Sequence, residues 1–212
     1  MSAATEAALA RLDEITRRLR RECPWDREQD ARSIVPHTVE EAYELADAAR
    51  RDDPEAMLDE LGDVLFQVVF LALLLEERGE GDLAAVAESC TAKLIRRHPH
   101  VFGEGELETA GAVLSQWEEI KREVEGRGDD PLADIPDTLP ALLHARKVLR
   151  RTDPQGSSSG ARPGGPGGDP AEREAAEREV GERLLEVVRH SRRLGVDPEL
   201  ALRSAAERHS RS

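Results

Sequence analysis

Five acidic residues recur at helical spacing in two short stretches of the chain. Glu40, Glu41 and Glu44 lie in the first stretch, and Glu60 and Asp63 lie in the second. Residues three or four apart share one face of a helix, so each stretch presents at least two carboxylates on one side. Carboxylate oxygens are the ligands that the hard cations Mg²⁺ and Mn²⁺ prefer. If the two helices run antiparallel, the spacing predicts a magnesium site between them.

The electrostatics of such a cluster restrict what it can be. Two unit charges 4 Å apart repel by about 4 kcal/mol at an effective dielectric constant near 20, so the cluster needs a counter-charge. A di-iron bundle would use Glu-x-x-His pairs, which these two stretches lack. Glu60 and Asp63 lead into the apolar run 64–75, where buried acids are rare unless they are paired or bind a metal. We therefore expect the helix that carries them to be largely buried.

Two of the acids have a purely structural interpretation as well. Glu41 follows Thr38 at the spacing of a capping box, in which its side chain would bond back to the helix start. Glu40 would then be a solvated acid in the first turn, which the helix dipole favours. Both alternatives assume that the helix begins near Thr38, after Pro36.

Cationic and aromatic side chains further along the chain fit a phosphate ligand. Lys93 and Arg97 share a helix face, as do Trp117 and Lys121. Trp117 could stack on a base while the cations contact phosphates. The structural alternatives are a core position for Trp117 and a helix-dipole role for Lys93 and Arg97. The two histidines of His98-Pro-His100 are interpreted as polar loop residues.

Composition places the chain among intracellular helical proteins. It has 212 residues, a net charge of −14 and only 3% aromatic residues. This acidic balance argues against a nucleic-acid binder, whose affinity depends on neutralising phosphates. Two cysteines are expected to make neither a disulfide framework nor a zinc site. The N-terminus lacks a positive start followed by an apolar core, so we expect no signal peptide. The longest apolar run is too short to span a membrane, so we expect a cytoplasmic protein with no membrane partner.

Periodicity predicts an all-α fold. The expected helices cover about 3–21, 38–50, 54–77, 82–97, 110–125, 139–150, 170–193 and 197–209, and no segment alternates as a strand would. Residues 153–169 are rich in Gly, Pro and Ser and are predicted to be a flexible linker. The chain is thus divided into a domain at 1–152, the linker, and a helical tail at 170–212.

The tail repeats part of the first domain. Residues 179–188 echo residues 60–69, including the acids Glu179 and Glu182 in place of Glu60 and Asp63. The helix corresponding to the first acidic stretch is absent, because the linker occupies its place. We interpret the tail as a degenerate half-repeat without a second active site, although two amphipathic helices also resemble each other by chance. Removal of everything after Arg151 is expected to leave a soluble, active core.

Taken together, these motifs resemble the MazG family of nucleoside triphosphate pyrophosphohydrolases. The matching segments are Cys23–Asp26, Thr38–Glu44, Glu60–Phe70, Lys93–Phe102, Trp117–Lys121, Asp134–Pro136 and Leu139–Leu142. The resemblance implies a helical bundle that works as an intertwined homodimer. It also implies Mg²⁺-dependent hydrolysis of NTPs or dNTPs between the α and β phosphates, giving a nucleoside monophosphate and pyrophosphate.

Residue roles follow from the same resemblance. Glu41, Glu44, Glu60 and Asp63 would bind Mg²⁺, for which Mn²⁺ could substitute, and Glu40 would assist as a further catalytic carboxylate. The nucleotide would contact Lys93, Arg97, Trp117 and Lys121. A cellular role in clearing unwanted nucleotides would fit this activity. The alternative is a non-catalytic regulatory module that binds nucleotides through the same bundle.

Overall fold

The computed structural model describes residues 2–103, 107, 109–123, 132, 135–152 and 169–210. The helices of this part are α1 (Ala3–Glu22), α2 (Pro24–Glu28), α3 (Ala31–Arg50), α4 (Pro54–Glu77), α5 (Leu83–Arg97), α6 (Pro99–Phe102), α7 (Ala110–Glu123), α8 (Ala141–Thr152), α9 (Pro170–Leu194) and α10 (Pro198–His209). No strand occurs among the described residues, and the prediction of an all-α fold is confirmed. The described helices include none that is long and apolar enough to cross a membrane.

The start of α3 differs from the prediction. Asp30 caps the helix by accepting from the backbone N–H groups of Arg32 and Ser33, and the Ser33 hydroxyl accepts in return from the Asp30 N–H. Pro36 therefore lies inside the helix, where it cannot donate a hydrogen bond to the Arg32 carbonyl and its ring crowds that carbonyl. The capping box at Asp30 fixes the start of the helix before this proline. Thr38 is consequently not a cap, and its hydroxyl instead faces the carbonyl of Ile34 at 3.5 Å.

The antiparallel pair α3 and α4 forms the core of the first compact unit, Met1–Leu94. A tight reversal joins the two helices, with Asp52 at φ 53° and Asp53 capping α4 by accepting from the Ala56 N–H at 3.1 Å. Ile34 of α3 packs with Phe70 and Leu74 of α4, and all three side chains are buried. The break expected between the helices at 38–50 and 54–77 lies at this reversal.

Helix α1 lies against the C-terminal end of α4 through two ion pairs. Arg17 bonds Glu76, and Arg20 bonds Glu77 with both N–O distances at 2.8 Å. Arg20 also donates to the carbonyl oxygens of Asp26 and Gln29, just before the cap of α3. One guanidinium therefore fixes α1, the end of α4 and the entry to α3 relative to one another.

Burial along α4 is confined to its C-terminal half. The apolar run is buried as predicted, at Gln67, Val69, Phe70 and the stretch 72–74. The N-terminal half is more open: Leu61 is 49% exposed, and Asp63 beside it is exposed as well. The expectation that this helix buries its acids within the chain is therefore wrong for Asp63, because α3 covers only one side of α4.

The second compact unit, Ile95–Ser212, has its own small core. Val148 and Ala145 of α8 pack against Ala206 of α10, with Leu202 at the margin. The expected tail thus contributes to the same unit as α8, and its removal would uncover Val148. The predicted domain limits 1–152 and 170–212 stay predictions, and the linker lies outside the described residues except for Asp169, which caps α9.

Candidate metal and nucleotide site

Three of the predicted acids converge where α3 faces the first turns of α4. One carboxylate oxygen from each of Glu41, Glu60 and Asp63 lies within 4.8 Å of the others. Glu41 comes from α3, whereas Glu60 and Asp63 lie one turn apart on α4. The reversal at Asp52 and Asp53 brings the helices back antiparallel, so the two stretches meet as their spacing predicts.

Glu60 carries the clearest sign of an incomplete site. Its Oε2 atom is buried and has no hydrogen-bond partner within the described part of the chain. Burial raises the pKa of this carboxyl, and the charges of Glu44 and Glu41 raise it further. A buried carboxylate oxygen without a donor is costly, so the protein alone leaves this atom unsatisfied.

Glu41 shows the same perturbation from the opposite helix. Desolvation raises the pKa of its carboxyl, followed by repulsion from Asp63, Glu44 and Glu40. With the true cap at Asp30, the capping-box interpretation of Glu41 is wrong. Its side chain is therefore available to the cluster.

Glu44 and Glu40 stand apart from the group of three. Both side chains are exposed, and neither offers an oxygen to the 4.8 Å cluster. Glu44 nevertheless repels both Glu41 and Glu60, which shows that its charge lies near the cluster. Glu40 is paired with His37, whose Nδ1 lies 3.4 Å from Glu40 Oε2.

The donor set fits a divalent hard cation. All the converging atoms are carboxylate oxygens, as Mg²⁺ and Mn²⁺ require, with no thiolate or imidazole among them. A cation here would offset the mutual repulsion and satisfy the orphaned oxygen of Glu60. Asp63 also lines an open surface concavity together with Asp53, Asp59 and Gly62.

The predicted nucleotide-contacting residues fall in both units. Lys93 is exposed on α5 in the first unit. Arg97, Trp117 and Lys121 belong to the second unit, where Arg97 and Lys121 interact with other residues of the chain. Their assignment to the nucleotide stays a prediction.

Trp117 is neither a buried core residue nor an open stacking platform. It is half-buried on α7, and its ring meets that of His98 edge to face at 4.8 Å between centroids. Its indole N–H is buried and has no hydrogen-bond partner among the described residues. His100 Nδ1 lies 3.2 Å from Gln116 Oε1, so both histidines pack around α7 rather than extending into a loop.

Two neighbours of the acidic cluster were not among the predicted site residues. His37 precedes Glu40 by one helical turn, and Trp25 packs edge-on against its ring at 5.8 Å. The i, i+3 spacing of His37 and Glu40 was visible in the sequence, but Trp25 arrives only through the packing of α2 beside α3. Its indole is 51% exposed.

Comparison with known proteins agrees with this geometry. The MazG nucleotide pyrophosphohydrolase domain matches residues 29–102, which contain all five acids together with Lys93 and Arg97. The chain is 38% identical over 207 residues to the nucleoside triphosphate pyrophosphohydrolase of Escherichia coli K12, covering 89% of this chain and 78% of that protein. The chain belongs to the MazG family. It is thus a member of an enzyme family of pyrophosphohydrolases, as the motifs predict.

Two other relatives extend the comparison. The Thermotoga maritima nucleoside triphosphate pyrophosphohydrolase/pyrophosphatase MazG is 38% identical over 199 residues, covering 88% of this chain and 75% of that one. The Mycobacterium tuberculosis nucleoside triphosphate pyrophosphohydrolase is 35% identical over 141 residues, covering 66% of this chain and 43% of its own length.

Proposed function

We propose that the chain hydrolyses nucleoside triphosphates between the α and β phosphates, releasing a nucleoside monophosphate and pyrophosphate. The observation that carries this proposal is the group of three carboxylates within 4.8 Å, with one buried oxygen of Glu60 left without a donor. The names of the relatives support the substrate class. The position of the cleaved bond is part of the proposal.

Glu41, Glu60 and Asp63 would hold the Mg²⁺, with Glu44 beside them as a further carboxylate. When bound, the cation supplies charge neutralisation for the phosphates and lowers the pKa of coordinated water. Glu44 is exposed and its charge acts on the cluster, which supports a role in orienting or deprotonating the attacking water. Glu40 is held by His37 and would support the same water less directly.

The cationic side chains would act on the leaving group. Negative charge develops on the departing pyrophosphate, and a lysine or arginine nearby stabilises it. Lys93, Arg97 and Lys121 are our candidates, with Trp117 for the base. Protein nucleophiles are not required in this scheme, since water attacks phosphorus directly.

The decisive experiment follows the products. With an NTP in Mg²⁺ and ¹⁸O-labelled water, phosphorus NMR should show a monophosphate and pyrophosphate in equal amounts. Appearance of a diphosphate and free phosphate would contradict α–β cleavage. Asp63→Asn should reduce turnover at least about 100-fold, as expected for loss of a group that stabilises the transition state.

Asp59→Asn serves as the matched control, since Asp59 lies on the same helix outside the group of three. It should retain most of the activity. Nucleotide binding without any hydrolysis in the unmodified chain would favour the alternative of a regulatory module instead.

We further propose that the first unit pairs with a second copy of the chain. Leu61, Leu65 and Val68 form an apolar stripe on α4 that is 38–49% exposed, and Tyr43 on α3 is 61% exposed. A stripe of this kind on an otherwise packed helix is typical of a subunit interface. Sedimentation should give a dimer, which Leu65→Asp weakens. A wild-type monomer at micromolar concentration would contradict the pairing.

A further inference from the structure

Gln67 is the one polar residue in the apolar run 64–75 of α4. Its side chain is buried, at 6% exposed, and its Oε1 atom has no hydrogen-bond partner among the described residues. A buried amide oxygen without a donor destabilises a folded chain, and an apolar side chain of similar size would avoid that cost. Packing alone therefore does not explain an amide at this position.

Helical register places Gln67 on the face of α4 that meets α3. Spacings of three and four residues put five side chains on this face, namely Glu60, Asp63, Gln67, Phe70 and Leu74. The C-terminal end of the face packs on Ile34 of α3, and the acids at its N-terminal end meet Glu41 of α3. Gln67 lies between these two contacts, in the layer that separates the apolar core from the acidic group of three.

The direction of side chains on a helix points the amide toward the acids. A long helical side chain leans toward the N-terminus and covers the turn that precedes its own Cα atom. For Gln67 that turn begins at Asp63, four residues earlier. A glutamine amide and an aspartate at this spacing are neighbours on a helix surface. We therefore expect the Gln67 amide to border the group of three.

The opposite helix supplies no described donor to this amide. His37 and Thr38 are the residues of α3 at the level of Gln67, one turn after Ile34. The Thr38 hydroxyl faces the carbonyl of Ile34 at 3.5 Å, and the His37 ring lies against a glutamate of its own helix. Within the described part of the chain, one face of α4 thus has two buried acceptors without a donor, Oε1 of Gln67 and Oε2 of Glu60.

We propose that Gln67 is a positioning residue, whose Oε1 accepts a hydrogen bond from water bound to the cation that the group of three would hold. Mg²⁺ usually keeps several of its waters in protein sites, and such a water is a hydrogen-bond donor. Partners in the outer shell of a metal site orient the groups that bind the ion directly. The inference rests on the proposed function, because it concerns the same cation, and it gives a role to a residue outside the predicted ligands.

The test is the affinity of the full-length chain for Mn²⁺, measured from the electron paramagnetic resonance signal of the free ion. Gln67→Met keeps the size of the side chain but removes the amide, and it should raise the Kd by about 10–100-fold. Gln67→Glu keeps an oxygen acceptor at the same position and should bind Mn²⁺ at least as tightly as the wild type. The matched control is Leu74→Met, on the same buried face, which should leave the Kd unchanged.

A role in packing alone predicts the opposite order of the two variants. Gln67→Met would then behave as the wild type, and Gln67→Glu would be the damaging change because it adds a charge beside three acids. Wild-type affinity in Gln67→Met, or the same loss in both variants, would overturn the proposed role as an acceptor. In EDTA, Gln67→Met should not melt below the wild type, since it removes a buried oxygen without a donor. A lower Tm there would show that the amide already has a partner without the cation.

Two further results separate this proposal from the others. If the wild type bound no Mn²⁺, the cation site itself would be wrong, and the role of Gln67 with it. If the wild type bound Mn²⁺ and released pyrophosphate while Gln67→Met bound the ion equally well, only the role of Gln67 would be wrong. Weaker self-association of Gln67→Met in sedimentation, at unchanged Mn²⁺ affinity, would assign the amide to a contact between chains and would also overturn the proposal.

Discussion

Neutralising Glu41 should have opposite effects with and without a divalent cation. In the metal-free protein its carboxylate faces two others within 4.8 Å. Each unit-charge pair at that distance repels by about 0.9 kcal/mol in water. Screening over a Debye length of about 8 Å halves this figure. Because the side chain is half-exposed, we take this water-like value for both neighbours and expect Glu41→Gln to stabilise the metal-free chain by about 1 kcal/mol.

The effect reverses when Mg²⁺ is present. A cation at 100 times its Kd stabilises the folded wild type by about 2.7 kcal/mol. If Glu41→Gln weakens the site 100-fold, the same concentration of cation stabilises the variant by only about 0.4 kcal/mol. For a chain of this size, 1 kcal/mol corresponds to about 2–4 °C in Tm. Glu41→Gln should therefore melt above the wild type in EDTA and below it in saturating Mg²⁺.

Differential scanning calorimetry in the two buffers measures both quantities. Glu88→Gln, which removes an exposed acid of α5, is the control for net charge and should change neither Tm by much. The reasoning would be refuted if Glu41→Gln failed to raise the Tm in EDTA. A full Mg²⁺ response in the variant would refute the role of Glu41 as a ligand.

Three further outcomes follow from the described contacts. In EDTA, the gain in unfolding free energy from Glu41→Gln should shrink as pH falls. Folding raises the pKa of the Glu41 carboxyl above its usual value of about 4.5, so protonation of this group favours the folded state. That stabilisation is fully present below the usual pKa and is lost as pH rises through the pKa of the folded protein. Urea midpoints from pH 4 to 7 measure this, and a pH-independent difference would contradict it. Arg20→Ala should cost about 2–3 kcal/mol, since it leaves two carbonyls and Glu77 without a donor. Arg18→Ala breaks one exposed pair and should cost far less. Equal costs in urea denaturation would show that Arg20 does not hold the helices together. Ala206→Asp should destabilise the second unit by about 2–4 kcal/mol by burying a charge beside Val148, and the exposed neighbour Ala205→Asp should cost less than about 1 kcal/mol. Circular dichroism melts compare the pair, and matching values would argue against packing of α10 on α8.

Local rules predicted most of the helices. The Asp53-Pro54 cap, the end of α4 at Glu77 and the Gly195 turn after α9 each depend on neighbours a few residues away. The wrong start predicted for α3 also depends on a few neighbouring residues. The prediction gave Pro36 more weight than the capping box of Asp30 and Ser33, and the helix begins at that box with the proline inside it.

Packing between distant segments determined which of the predicted acids meet, and the spacing of these residues in the sequence could not predict it. The i, i+3 pattern put Glu60 and Asp63 on one face, but their sequence does not say which of the four predicted ligands meet or which oxygen loses its solvent. The fold brings Glu41 to that pair and leaves Glu44 at the side. The same limit applies to α10, whose packing on Val148 was not foreseen because an amphipathic helix does not specify its partner.

The sequence by itself thus determined the helices, the oxygen-rich chemistry of the acidic cluster and the family, because caps, periodicity and residue type are properties of short segments. Only the tertiary structure decided that Glu41, Glu60 and Asp63 share one point, that a buried Glu60 oxygen has no donor in the described chain, and that α4 and α9 keep apolar faces exposed. Distance and desolvation depend on contacts between residues far apart in the chain, and those contacts exist only once the helices have packed.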